Sequence, residues 1–595
     1  MTDHDDRPES LPDDGTARSE LWRRRSVIAG IAGTAVTATA FTAQRVLPGG
    51  DEPPAVTDVR RTADAPADAG GFANRDESYA AIGQSEQISA TQVPPPAQAA
   101  PPTLVFATAS EAAAAAEVTV PTILDTSDPA LHLLRRTTFG PTPDLLGEVH
   151  AVGIDAWLAA QCEPIRIPDP AADLGWAAFP LASADPATVR SSIERTTWGA
   201  MADYGRATLA RQVWSQRQLY EVMVDFWANH LNVPTPGPGG WDVGPSYQRG
   251  VIRTHALGTF TDMLVAAARH PALLRYLTAE QSNKDSVNEN LGRELLELHT
   301  VGVASGYGED DVRNSAYILT GRTVVGRDGP GEEGSFRYDP DKHWVGPVTV
   351  LDFQHPNDTA EGGLEVGDAY LRHLAGHPAT AQTIARKLAV RFVSDMPPPA
   401  LVERLAAAYL EAGTAIVPVL DTLFRSVEFW AAVGQKTRRP LENVTASVRI
   451  LGVMPDGDIA HSVGRLYNAT IDAGHQPLSW PAPNGYPDVH AAWRSAGNVV
   501  AMWNLHRALV GDWEDGLTRP DPIGLVAGRP AATVGEYVDS LCARLCFQAF
   551  QSAHRDALVA FLGGDPAAPI GRFVDNNDAL GAIALVLDSP YFSLR

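Results

Sequence analysis

The sequence predicts a mainly α-helical fold, a large helical domain of one or two lobes with a small β-hairpin-like insertion. Three observations carry this. After Asp128 apolar residues recur at helical spacing almost throughout. Asp128-Pro129 and Thr142-Pro143 each pair a capping side chain with a first-turn proline ahead of such a run. Only 323–353 alternates, with TVVGR, SFRYD and VTVLDF separated by Gly-rich turns, and it reads as short strands.

Further helices follow the same grammar. Leu401, Leu405, Ala408 and Tyr409 form one face of a helix that Gly413 can stop. Ala379 to Phe392, Val417 to Trp430, Leu441 to Leu451 and Asp578 to Leu587 are apolar-periodic runs of helical length. A chain of 595 residues has room for more than one core. Its formal charge of -24 argues against a nucleic-acid partner, because a phosphate-binding surface needs a basic excess. The three cysteines, Cys162, Cys542 and Cys546, supply no disulfide framework.

The N-terminal region carries an address. Arg23-Arg24-Arg25 precedes the uncharged run SVIAGIAGTAVTATA, which ends in the small-x-small site Ala38-Thr39-Ala40. Adjacent arginines and a weakly apolar core of Gly, Ala and Thr fit a twin-arginine signal over residues 1–43. The expected location is extracytoplasmic, in the cell envelope or secreted, with membrane tethering if the signal stays uncleaved. No later run approaches the roughly 18 apolar residues that a spanning helix needs. Residues 44–126, with VPPPAQAAPP and EAAAAAE, read as a disordered Pro/Ala-rich linker ahead of a domain at 127–595.

Two helical segments put charge where cores are apolar. In SQRQLYEVMVDFWANHLNV, from Ser215 to Val233, Arg217, Glu221, Asp225 and Asn229 recur every four residues and line one stripe. In NENLGRELLELHTVGV, from Asn288 to Val303, Asn290, Arg293, Glu294 and Glu297 share a face opposite Leu291, Leu295 and Leu298. A charged stripe on a buried helix must be paired or must serve a site. Two readings stay open. In the first, Glu221, Asp225, His230, Glu294 and Glu297 are catalytic candidates for acid–base work. Arg217, Asn290 and Arg293 would then bind a cofactor, and Glu294, Glu297, His230 and His343 would hold a divalent metal. In the second, the stripes face each other as structural ion pairs, with Arg217 and Arg293 neutralising the carboxylates. There is no GxGxxG after a strand, GxxxxGK[ST], HExxH, CxxCH or GxSxG.

The stretches VMVDFWANHLNV, NENLGRELLELHTVGV and DVRNSAYILTGR, supported by HLLRRTTFGPTP, HPATAQTIARKLAVRFVSD and WPAPNGYPDVHAAW, make the chain resemble the bacterial family catalogued as domain of unknown function 1800. The resemblance runs from about Asp128 to Arg595. It places Asp225, Phe226, Trp227 and His230 on a DFW-x-x-H motif. Asn290, Arg293, Glu294, Glu297 and Gly302 fall on an N-x-x-R-E-L-x-E-L-x-x-G motif, and Asp311, Leu319, Thr320 and Gly321 on D-V-x6-L-T-G. The family histidine at His343 is usually followed by Asp, where this chain has Trp344. The resemblance implies export and no defined reaction. The expected function is thus an exported envelope protein, an enzyme or cofactor protein built on the carboxylate and histidine groups, or a non-catalytic scaffold. Its expected partner is an envelope component or a co-exported protein.

Overall fold

The computed structural model describes residues 108–109, 122–237, 239–511 and 516–595. The signal segment lies outside the described residues, as does most of the linker. Of the latter, Ala109 donates its N–H to Asp155, Asp125 donates its N–H to Gln548, and Leu124 is buried.

The principal helices are α1 Pro129–Thr137, α2 Pro143–Val152, α3 Gly199–Trp214, α4 Gln218–His230, α5 Phe260–Arg269, α6 Asn290–Glu294, α7 Glu309–Leu319, α8 Gly363–Gly376, α9 Pro378–Phe392, α10 Pro399–Glu411, α11 Ile416–Phe424, α12 Val427–Trp430, α13 Pro440–Leu451, α14 Ile459–Asp472, α15 Ala496–Gly511, α16 Val534–Cys546 and α17 Asp578–Leu587. The expected caps are present. Asp128 accepts from the N–H groups of Ala130 and Leu131, and Thr142 from that of Leu145, so orphan first-turn donors are satisfied. The single helix expected from Val417 to Trp430 is two, α11 and α12. Ser426 adopts extended backbone and caps the second through the N–H of Phe429.

Residues 322–355 form two separate two-stranded antiparallel ribbons, β1 Arg322–Val324 with β2 Phe336–Tyr338, and β3 Val348–Val350 with β4 Phe353–His355. Family-motif residues fasten them to α7. Asp311 accepts from the N–H of Leu351, the hydroxyl of Thr320 accepts from that of Trp344, and the Trp344 ring stacks on Tyr317 at 4.3 Å. Trp344 therefore contributes packing.

Two large apolar cores sit side by side. The first is built from α1, α4, α5, α8, α9, α10 and α11, with Trp227, Phe260, Leu388 and Leu405 fully buried. The second is built from α13 to α17, with Leu441, Val444, Tyr537 and Val586 fully buried. Each large apolar side chain removed from water contributes about 1.5–3 kcal/mol before entropy is counted. Helix α13 is buried on nearly every side, so its polar residues have to find partners inside the protein. Among the described residues no helix is long and apolar enough to cross a membrane.

Candidate functional site

Helix α4 is buried on several sides, and each group of its stripe meets a partner from another element. Glu221 takes a two-pronged pair from Arg253, with Nη1 at 2.9 Å from Oε2. Asp225 accepts from Arg439 Nη2 at 2.6 Å. Asn229 clamps the backbone of Tyr486, donating to its carbonyl at 2.7 Å and accepting from its N–H at 2.5 Å. Arg217 instead donates from Nε to the carbonyl of Ile167 at 2.9 Å. The stripe is thus paired, but through arginines outside both motifs. The expected facing of Arg217 and Arg293 onto these carboxylates does not occur. Arg293 pairs with Glu309 at 2.7 Å and Glu289 at 3.3 Å near the surface.

Asp225 opens a buried charge network that joins the two cores. Arg439, just before α13, also reaches Glu442 at 3.2 Å and donates its backbone N–H to the same carboxylate at 2.8 Å. Glu442 further accepts from Arg391 of α9 and lies 3.1 Å from Arg595 Nη1. Beside it, Lys436 Nζ bonds Asp395 at 2.7 Å and lies 3.2 Å from Asp488. Burial pushes the Glu442 carboxyl up, but Arg391, Arg595 and Arg439 outweigh burial and hold it well below the usual carboxylate range. The same competition runs in reverse at Arg439, where Glu442 and Asp225 overcome the cost of burial and raise its pKa.

His230, at the end of α4, has a separate neighbourhood. Its Nδ1 lies 2.8 Å from Lys387 Nζ of α9 and its Nε2 3.0 Å from the carbonyl of His299. The Lys387 ammonium donates to Nδ1, so His230 is the neutral Nε2–H tautomer. Burial, then Lys387 and His299, hold its pKa well below the usual histidine value. Burial alone brings Lys387 down to about 8, and burial followed by Lys387 brings His299 down to about 3.

The second motif begins as α6 and continues as a π-helical turn over Leu295–His299. The wider turn shifts the face that an α-helix would present. Glu294 and Glu297 end half-buried, and Asn290 donates to the carbonyl of Leu277 at 3.3 Å. Burial first, then the charge of Glu297, raises the pKa of Glu294. Burial first, then the charge of Glu294, raises the phenol of Tyr276, and burial first, then the charge of Glu297, raises that of Tyr307. Tyr276 also donates to Pro481, in the turn that Asn229 clamps. His343 has other partners: its Nε2 is 2.9 Å from Asn357 Oδ1 and its Nδ1 2.9 Å from the carbonyl of Thr320.

Among the described residues no three His, Cys, Asp or Glu groups converge as a metal-holding cluster. The set Glu294, Glu297, His230 and His343 is therefore not assembled, because the imidazoles are bonded elsewhere and the two glutamates stand on their own turn. A family model described as a protein of unknown function, DUF1800, matches residues 132–594. The chain belongs to the DUF1800 family. Among the DUF1800 motifs, DFW-x-x-H thus serves both the charge network and the Lys387 contact, whereas the L-T-G segment holds the β-ribbons. No curated protein and no solved structure matches the chain.

Sequence reasoning missed Arg253, Arg391, Lys387, Arg439 and Glu442. A signal for the last two was present in RRPLENVTASVRIL, where arginine, proline and an acid three residues past the arginine open an apolar helix.

Proposed function

We propose that the protein is an exported cell-envelope component that acts as a non-catalytic scaffold or assembly protein, its charged stripes serving as structural ion pairs. The observation that carries this reading is Arg439 holding Asp225 of the first core and Glu442 of the second at once. Carboxylates engaged in this way are poor acids and bases, because neither protonation nor metal binding is available to them without breaking a buried pair. The twin-arginine signal and long linker support export and reach beyond the membrane.

A second reading, an enzyme acting on an envelope component, draws on one observation. Glu294, the last residue before a π-helical turn, has a raised pKa beside Glu297 of that turn and two tyrosines, which is how acid–base sites are built. Complementation of a deletion strain separates the two. Under the scaffold reading, a Glu294→Gln, Glu297→Gln double variant that is folded and exported at wild-type levels restores function in full. Under the enzyme reading it does not, while its abundance outside the cell is unchanged. An Arg23→Lys, Arg24→Lys variant retained in the cytoplasm supports the export route, and one still exported by the same route overturns it.

A further inference from the structure

Between the start of α2, the end of α3 and the end of α13 the protein has a cleft of about 320 Å³, at the small end of the range that ligand sites occupy. Arg449 of α13 lines it. This side chain is half-buried and fixed by two backbone acceptors: Nε donates to the carbonyl of Gly140 at 2.8 Å and Nη1 to that of Val213 at 2.5 Å. Its third nitrogen, Nη2, takes no acceptor among the described residues and is not sealed from solvent. No carboxylate answers the charge either. Burial alone brings the guanidinium down to about 10, with no acid close enough to restore it.

The same cleft carries charge of the opposite sign. Asp144 and Glu148 line it from α2, one helical turn apart and both exposed. Neither forms an ion pair among the described residues. Arg544, the cation that attracts Asp144, donates instead to the carbonyl of Ile450 at 3.0 Å. An apolar wall comes from Leu145, Val213 and Val453, which are buried, and from Trp214, which is half-buried. Arg449 disfavours a bare cation here and the two acids disfavour a bare anion, whereas a molecule carrying both charges satisfies all three groups. A small cleft with an apolar wall and a few polar groups to fix orientation is how such molecules are held.

We propose that this cleft binds a zwitterion, an amino acid or short peptide with an apolar side chain, its carboxylate accepting from Arg449 Nη2 and its ammonium donating to Asp144 and Glu148. Isothermal titration calorimetry on the full-length protein, with the common amino acids and their dipeptides as probes, tests it. Saturable binding of at least one apolar member is expected. N-acetylation, which removes the ammonium, and amidation, which removes the carboxylate, should each weaken it about tenfold or more. Tighter binding of the free amino acid or of the dipeptide supports the proposal either way and says which of the two the cleft serves. Arg449→Met should abolish binding, but it also removes two contacts to the backbone. The Asp144→Asn, Glu148→Gln double variant, altered only at exposed positions, keeps the test open should Arg449→Met fail to fold. It should bind the free form about tenfold or more weakly and the N-acetyl form no more weakly than wild type does. Absence of binding by every probe, equal affinity for free and blocked forms, or unchanged affinity in the folded double variant would each overturn the proposal.

Discussion

Arg439 and Asp225, 214 residues apart in sequence, lie 2.6 Å apart inside the protein, and through that contact helix α4 is held to the start of α13. The pair is nearly dry, at 4% and 11% side-chain exposure, so deleting one member leaves the other charge buried. Arg439→Met is expected to cost about 3–5 kcal/mol and Asp225→Asn somewhat less. The double variant should recover part of the loss, giving a coupling of about 1–3 kcal/mol in a double-mutant cycle by urea unfolding. Strictly additive losses would show that the two residues act separately.

The helical body was legible because capping pairs and apolar periodicity are local. Asp128-Pro129 and Thr142-Pro143 open helices as expected, and the alternating segment makes ribbons. The site was less legible, since long-range pairing decides it. Four-residue spacing correctly placed Glu221, Asp225 and Asn229 on one face of α4, yet nothing local names Arg253, Arg439 or Tyr486 as their partners. Two further failures are local: the π-helical turn at Leu295–His299 breaks the periodicity from which the second stripe was read, and Ser426 divides a helix whose apolar pattern runs straight through it.

Acid should destabilise the fold before its carboxylates titrate. His132, His230, His270, His299 and His475 are all held below the ordinary histidine value by burial first, His270 and His299 at about 3. The unfolded chain takes up protons near pH 6.5 while the folded chain does not. Their stabilising contribution is therefore full above pH 6.5 and falls as the pH drops toward the folded values, by up to about 1.4 kcal/mol per pH unit for each group. Glu442, with its lowered pKa, adds a second loss below about pH 4.5. Unfolding free energies from pH 7.5 to 5 should show this slope. His299→Gln should reduce it by up to one proton, and an unchanged slope in that variant would remove His299 from the set.

Glu294 should behave in the opposite sense. Its raised pKa means that the folded state binds its proton more tightly than the unfolded state does, so ionisation of this half-buried carboxyl works against folding at neutral pH. Glu294→Gln is expected to raise Tm at pH 7 by a small amount. The difference should shrink as the pH falls through the raised value of the wild-type group and be gone below the ordinary value of 4.5. A variant less stable than wild type at pH 7 would mean that the carboxylate has a stabilising partner.

Gly485 is the point where the turn at 480–487 depends on having no side chain. Its φ is +72°, and a Cβ there would lie 2.1 Å from the carbonyl oxygen of Asn229 and 2.7 Å from its side-chain oxygen. Gly485→Ala therefore combines left-handed strain with a collision against the residue that holds Tyr486 by two hydrogen bonds. Loss of those bonds at roughly 1 kcal/mol each, plus strain of about 1 kcal/mol, gives an expected cost of about 2–3 kcal/mol. The damage should be local at first, because Asn232 still donates to Trp480 and Ala482 and Tyr276 to Pro481. Limited proteolysis should accordingly open the turn before urea unfolds the body. Gly497→Ala is the matched control: it lies in α15 with nothing nearer than Ser495 Oγ at 3.9 Å, and helix propensity favours alanine there. Equal effects of the two substitutions would show that the contact with Asn229 does not hold the turn.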